Sequence, residues 1–296
     1  MWWVPELTGS RCFLLDLAGT RVVLREWGDR DAPPLVYWHG LSFWGPWEML
    51  EAGPTWSRRS GLRVLAVSAP GWETPALPPL AYRPTALARL VVAVLDALGL
   101  ERAVFAGFSW GASIGAHLGA DFPSRLTSLV LLDAGFFDVQ VPPGQPEPTL
   151  AATTEGYREQ RHRFCTWEDW ASHVRPRFRT WRPPVADAVR IGMRETDGWA
   201  RPRVAPEVLA AGHHGVVSEP PSRRLPQLER AGLPILLLVS TATLAMSHAG
   251  QALGRFRATV PSADVAVIDS SHYLLVDALD ETVRVVTRWL RSPPSA

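Results

Sequence analysis

The sequence predicts an α/β protein built on a mostly parallel sheet covered by helices on both faces. Two observations carry this, and a third shapes it. Short continuous apolar runs recur along the chain, amphipathic helical patterns lie between several of them, and one long stretch breaks the rhythm. Two strand-like runs open the chain at 12–17 and 21–27, around a turn at Ala18-Gly19-Thr20. Runs that read as buried strands follow at 35–38, 63–67, 103–106, 126–132, 235–239 and 265–268. Helical patterns fill 84–98, 110–120 and 280–290. The stretch from 139 to about 227 opens with Val141-Pro142-Pro143-Gly144-Gln145-Pro146, which reads as a linker. It continues with helix-compatible segments rich in Arg and Trp at 155–163, 167–174, 185–194 and 206–211, and holds no clear buried strand. Its arginines are expected to form a solvated helical surface. The pattern therefore divides the chain into a core (1–138 and 229–296) and a helical insertion between two sheet strands (139–228).

Composition narrows the functional classes. The 296 residues are 47% hydrophobic and carry a net charge of +1, so nothing in the overall balance draws the chain to nucleic acid or an anionic membrane. No apolar stretch approaches the roughly 18 residues of a membrane span. Met1-Trp2-Trp3-Val4-Pro5-Glu6 lacks the basic start of a secretory signal, which points to a cytoplasmic protein or a mature form without its leader. Cys12 and Cys165 have no metal-type spacing and are expected to be reduced structural thiols. Every basic residue is Arg and the chain has no Asn, as a GC-rich genome would produce.

Gly107-Phe108-Ser109-Trp110-Gly111 carries the chemistry. It follows the apolar run Ala103-Val104-Phe105-Ala106 and precedes a helical stretch, which is the context that gives a G-x-S-x-G motif its meaning. A nucleophile at a tight strand-to-helix turn sits on a strained backbone, needs small neighbours, and is lifted clear of the sheet at a helix N-terminus.

With that motif the chain resembles the α/β-hydrolase family, and further stretches agree in order. They are His39-Gly40-Leu41-Ser42, Ser68-Ala69-Pro70-Gly71-Trp72, Phe122-Pro123-Ser124-Arg125-Leu126 with Leu129 to Asp133, and Ser271-His272-Tyr273-Leu274. Ala69 and the run from Trp72 to Thr74 depart from the usual residues of the second stretch. The resemblance spans almost the whole chain except the insertion, which would correspond to the family's variable cap. It implies a hydrolase with Ser109 as nucleophile and His272, after the last strand, as general base. Of the other seven histidines, His39 belongs to the oxyanion-loop motif, His117 is expected to pack on the sheet, and His162, His173, His213 and His214 fall in the insertion. His248 lacks the surrounding pattern.

The acid is where the chain departs from the family. The loop after the run at 235–239 reads Ser240-Thr241-Ala242-Thr243-Leu244, and nothing acidic lies between Glu229 and Asp264. Asp133, ending the run beside the one that carries Ser109, is the natural substitute, because a carboxylate there can fix the imidazole tautomer. Asp138, Asp269 and a Ser-His dyad remain the alternatives. The resemblance assigns the oxyanion hole to the backbone amides of Trp110 and Leu41. The loop is not of the Gly-rich His-Gly-Gly-Gly type. Aromatic residues on the same loops suggest an apolar pocket, with His39, Trp44, Trp47, Phe108, Phe136 and Phe137 as its lining.

The expected activity is hydrolysis of small hydrophobic or aromatic carboxylic esters, with no cofactor and no metal, by a monomer or homodimer. The expected partner is a small-molecule apolar ester, not nucleic acid or membrane. Ser109 argues against an Asp-nucleophile dehalogenase or epoxide hydrolase. A proline iminopeptidase, a carbon–carbon bond hydrolase and a non-catalytic small-ligand receptor stay open.

Overall fold

The computed structural model describes residues 9–139 and 146–291. The N-terminal Met1–Glu6 stretch and the Pro-rich run from Val141 to Gln145 lie outside the described residues. An eight-stranded sheet forms from β1 (Arg11–Leu17), β2 (Thr20–Trp27), β3 (Pro34–Trp38), β4 (Arg63–Ser68), β5 (Ala103–Phe108), β6 (Leu126–Leu132), β9 (Ile235–Ser240) and β10 (Asp264–Ile268). The spatial order is β1-β2-β4-β3-β5-β6-β9-β10. β1 pairs antiparallel with β2, and β2 with β4, while all other pairings are parallel. All eight runs read from the sequence are strands of this sheet.

Side-chain alternation on these strands feeds two separate cores, which explains why the runs are continuously apolar. Trp38, Leu65, Phe105, Leu129 and Leu237 pack on one face, with α2 (Pro84–Ala97), α3 (Trp110–Asp121), α8 (Leu225–Arg230) and α10 (Ala249–Thr259). Tyr37, Val64, Ala106, Val130 and Leu236 pack on the other, with α1 (Met49–Ser60), α11 (Leu274–Asp277) and α12 (Leu279–Arg291). Each such fully buried Leu or Val contributes about 1.5–3 kcal/mol. A short helix, α9 (Thr241–Leu244), follows β9.

Between β6 and β9 the chain forms α4 (Leu150–Arg163), α5 (Trp167–Val174), α6 (Pro183–Ile191) and α7 (Pro206–Ser218). It also forms a hairpin, β7 (Met193–Thr196) with β8 (Trp199–Pro202), that the apolar pattern does not predict. Its strands are four residues long; β7 is exposed beyond Met193 and β8 buries only Ala200 and Pro202, so they carry no continuous buried run to read. The α5 start is held by a capping box between Thr166 and Asp169. Trp170, Val174, Phe178, Val185 and Val189 of this segment join the first core. The segment is also tied to the sheet end near His272. The Asp277 carboxylate accepts the amides of Arg179 and Thr180 at 2.9 and 3.0 Å, and Arg182 pairs with Glu51. No helix among the described residues is long and apolar enough to cross a membrane.

Candidate active site

Ser109 joins β5 to α3 with φ 52° and ψ −110°, a backbone that a non-glycine residue adopts only when its surroundings impose it. The flanking glycines show what imposes it. A Cβ on Gly107 would run into the Gly111 carbonyl, and one on Gly111 into the Trp38 carbonyl. The spacing of the motif is thus a packing requirement between β3, β5 and α3.

His272 follows β10 and faces this turn. Its Nε2 lies 3.0 Å from Ser109 Oγ, and its Nδ1 lies 2.7 Å from Asp133 Oδ2. Because a carboxylate only accepts, the ring hydrogen sits on Nδ1, and Nε2 is left to accept from the serine hydroxyl. Asp133 is fully buried, caps β6 with φ 56°, and accepts three more hydrogen bonds. Ser240 N–H donates at 2.5 Å, Ser240 Oγ at 2.8 Å and Thr243 Oγ1 at 2.7 Å. The loop that holds no carboxylate therefore holds the carboxylate in place. Ser240 also caps α9 by accepting the Thr243 amide at 3.0 Å. The other two candidate acids are engaged elsewhere: Asp138 accepts from Ser222, and Asp269 pairs with Thr241 and the Arg179 guanidinium.

The backbone continues the relay. Ser109 N–H donates to Leu132 O at 2.9 Å, and Asp133 N–H donates to Leu238 O at 2.8 Å, so the parallel ladder runs on through both turns. Trp110 opens α3, where the first amides have no acceptor within the helix. On the facing loop, Gly40 N–H is taken by Glu48 Oε1 at 3.0 Å and Ser42 N–H by the Gly40 carbonyl at 3.0 Å. The Leu41 amide between them has no protein acceptor among the described residues.

Glu48 carries no mark in the sequence. It lies in a 3-10 turn and is almost wholly buried; its carboxyl also accepts from Tyr37 Oη at 2.5 Å. Burial pushes this carboxyl up to about 8, so it is neutral at pH 7. No local pattern reveals it, because both partners come from β3 and the loop after it.

The residues expected to line a pocket separate into groups. Phe108 stays at the site, its ring 4.9 Å from that of His272 and 5.8 Å from that of Tyr273. Trp44 and Trp47 border a small cavity shared with Phe178 and Val185 of the intervening segment. His39 is a correction: it is fully buried and cannot face a ligand. Burial pushes its imidazole down to about 4; Nδ1–H donates to Gly40 O at 2.7 Å, and Nε2 accepts the Ala69 amide at 3.2 Å. Phe136 and Phe137 are a second correction, because they pack toward Phe256 and His248 instead of the relay. His117 is buried among Thr85, Glu219 and Arg224. Among the described residues, no cluster of three or more His, Cys, Asp or Glu side chains is arranged to hold a metal.

A serine on a strand-to-helix elbow, bonded through histidine to a buried carboxylate at the carboxyl ends of a parallel sheet, defines a hydrolase. The chain belongs to the α/β-hydrolase fold family, whose pattern it matches over residues 33–279. It is 34% identical over 101 residues to a protein of Mycobacterium phage D29 named as a putative non-heme haloperoxidase, covering 34% of this chain and 36% of the relative. It is 32% identical over 100 residues to a 2-hydroxy-6-oxononadienedioate/2-hydroxy-6-oxononatrienedioate hydrolase of Paraburkholderia phymatum, covering 33% of this chain and 32% of that protein. The matches thus span about a third of these curated relatives. Among solved structures, a thioesterase domain from the curacin biosynthetic pathway superposes with a TM-score of 0.75 at 16% identity, covering 94% of this chain and 99% of that domain. At that identity the likeness is one of fold.

Proposed function

We propose that the protein is a serine hydrolase of small carboxylic esters, with Ser109 as nucleophile, His272 as general base and Asp133 as the acid that orients it. The observation that carries this reading is the continuous relay of 3.0 and 2.7 Å from Ser109 through His272 to a buried carboxylate. As Ser109 Oγ bonds to the ester carbonyl carbon, its proton passes to His272 Nε2, and Asp133 stabilises the imidazolium. The carbonyl oxygen becomes an oxyanion, received by the amides of Trp110 and Leu41. His272 returns the proton to the leaving alkoxide as the carbon–oxygen bond breaks, leaving an acyl-serine. Water, deprotonated by His272, then releases the acid and restores Ser109. The segment between β6 and β9 acts as a cap over the site. Phe108, Tyr273 and Phe178, with ring centroids 4.6–5.8 Å apart, supply an apolar wall for the substrate stem.

The test is turnover of p-nitrophenyl acetate, butyrate and hexanoate by wild type and Ser109→Ala. Turnover abolished by the substitution supports the reading; equal activity in both proteins refutes it. A carbon–carbon bond hydrolase would use the same relay and is favoured by the similarity to the Paraburkholderia phymatum enzyme. Turnover of a vinylogous diketone with no turnover of any ester would select it.

A further inference from the structure

α4, α5 and α7 line a cavity of about 500 Å³ that opens to solvent, bordered among others by Tyr157, Glu159, Gln160, Arg163, His173 and His213. It is bracketed by neighbours of the reacting groups. His213 follows Gly212, where an added Cβ would sit 2.7 Å from Leu41 Cδ1 and 3.4 Å from Trp110 Cζ2, so α7 rests on the proposed oxyanion residues. Arg177, just after α5, reaches the lining residue His173 at 3.2 Å and acts on the phenols of Tyr157 and Tyr273, and the Tyr273 ring is 5.5 Å from that of His272.

The charges around this cavity are unbalanced. Arg177 Nη2 can only donate, so His173 Nε2, 3.2 Å away, accepts and the imidazole is neutral; Gln160 Nε2 lies 2.8 Å from the same nitrogen. Burial and the Arg177 and Arg163 guanidiniums all hold its pKa below the usual histidine value. Arg158, Arg179, Arg182 and Arg190 of the same segment each pair with a carboxylate. Arg163 and Arg177, both exposed, form no ion pair among the described residues, and neither do Arg161, Arg175, Arg194, Arg201 and Arg203 of the same segment. Glu159, exposed like both arginines, borders the same cavity and pairs with neither. Two guanidiniums against one carboxylate at the rim of this cavity, all three exposed, leave a positive excess that favours an anion, and the planar guanidinium suits a carboxylate.

We propose that the substrate carries a carboxylate remote from its scissile carbonyl, and that Arg163 and Arg177 receive it at the rim of this cavity; the inference rests on the ester-hydrolase reading. The apolar wall would then hold the stem and the rim its charged end. The experiment compares matched esters: p-nitrophenyl hydrogen glutarate with p-nitrophenyl valerate, and 4-carboxyphenyl butyrate with phenyl butyrate. In at least one pair the acid-bearing ester should have a kcat/KM about ten- to a hundredfold higher, the range of a charge-assisted contact. The ratio should fall toward one in the Arg163→Gln/Arg177→Gln double variant, and shrink with added salt. A ratio at or below one in both pairs, or one unchanged in the double variant, overturns the proposal. Should no ester be turned over, calorimetry on Ser109→Ala with glutaric monoanilide against valeranilide separates the two ideas. Selective, arginine-dependent binding of the acid keeps the carboxylate site and removes the esterase reading; equal or absent binding removes the site.

Discussion

Replacing Asp133 by Asn tests the relay more sharply than removing the serine, because the structure dictates how the new amide must sit. Ser240 N–H, 2.5 Å from Oδ1, can only donate, so the oxygen of the substituted side chain is held on that side. Its nitrogen then occupies the Oδ2 position, 2.7 Å from His272 Nδ1, where it donates instead of accepting. The imidazole is forced to carry its hydrogen on Nε2 and can no longer take the proton of Ser109. The imidazolium also loses its counter-charge. A triad with its acid made neutral and its base in the wrong tautomer loses about four orders of magnitude in kcat. We therefore expect Asp133→Asn to lower ester kcat/KM by roughly 10³–10⁴-fold while near-ultraviolet circular dichroism keeps its folded signature. Stopped-assay kinetics with p-nitrophenyl butyrate at pH 7.5 reads the effect. Retention of more than about a tenth of wild-type kcat/KM would show that Asp133 only orders a turn and refute the relay as drawn.

Thr243→Val keeps the shape of the side chain but removes its 2.7 Å hydrogen bond to a buried, charged acceptor; about 1.5–3 kcal/mol of stability should be lost, read as the urea midpoint. An unchanged midpoint would mean that Ser240 and His272 suffice to hold Asp133. Glu48→Gln should alter the pH dependence of stability. The wild-type carboxyl, ordinarily at 4.5, is raised to about 8, so the folded state keeps a proton that the unfolded state releases. Wild-type stability from this group is fully present below pH 4.5 and is lost at about 1.4 kcal/mol per pH unit as pH rises toward 8. The glutamine variant is exempt, so its stability relative to wild type should grow from pH 5.5 to 7.5 in urea titrations; parallel curves would contradict a neutral Glu48.

Much of this architecture is written locally. The eight strands are visible because most are buried on both faces, and the elbow is visible because Gly107 and Gly111 have no room for a side chain. The same logic reaches Asp133, since an empty loop after β9 leaves the end of β6 as the neighbouring position. It fails where a role depends on partners distant in sequence. Nothing in Ser240-Thr241-Ala242-Thr243 announces that two hydroxyls converge on Asp133, and nothing around Glu48 announces Tyr37 and Gly40. Phe136 and Phe137 are suggested by their nearness to Asp133 along the chain. Gly135, with φ 84° and no room for a Cβ beside the Ala112 carbonyl, turns the chain away before them. α1 escapes the helical pattern because Gly53 and Pro54 interrupt it, although Gly53 is required where the helix crosses the face of Trp27.

The bond from the Ser109 amide to the Leu132 carbonyl joins the proposed nucleophile to the peptide unit that precedes the proposed acid. Two members of the relay are thereby spaced by a single rung between adjacent strands, upstream of everything inserted between β6 and β9. That insertion can lengthen, shorten or be exchanged in the course of descent without altering the distance from nucleophile to acid; only the arrival of His272 has to be preserved. Recombination at the borders of the insertion is accordingly the place where this scaffold should tolerate new specificities most readily. The β9 loop, freed from supplying a charge, acts as a clamp whose two hydroxyls can be traded for others.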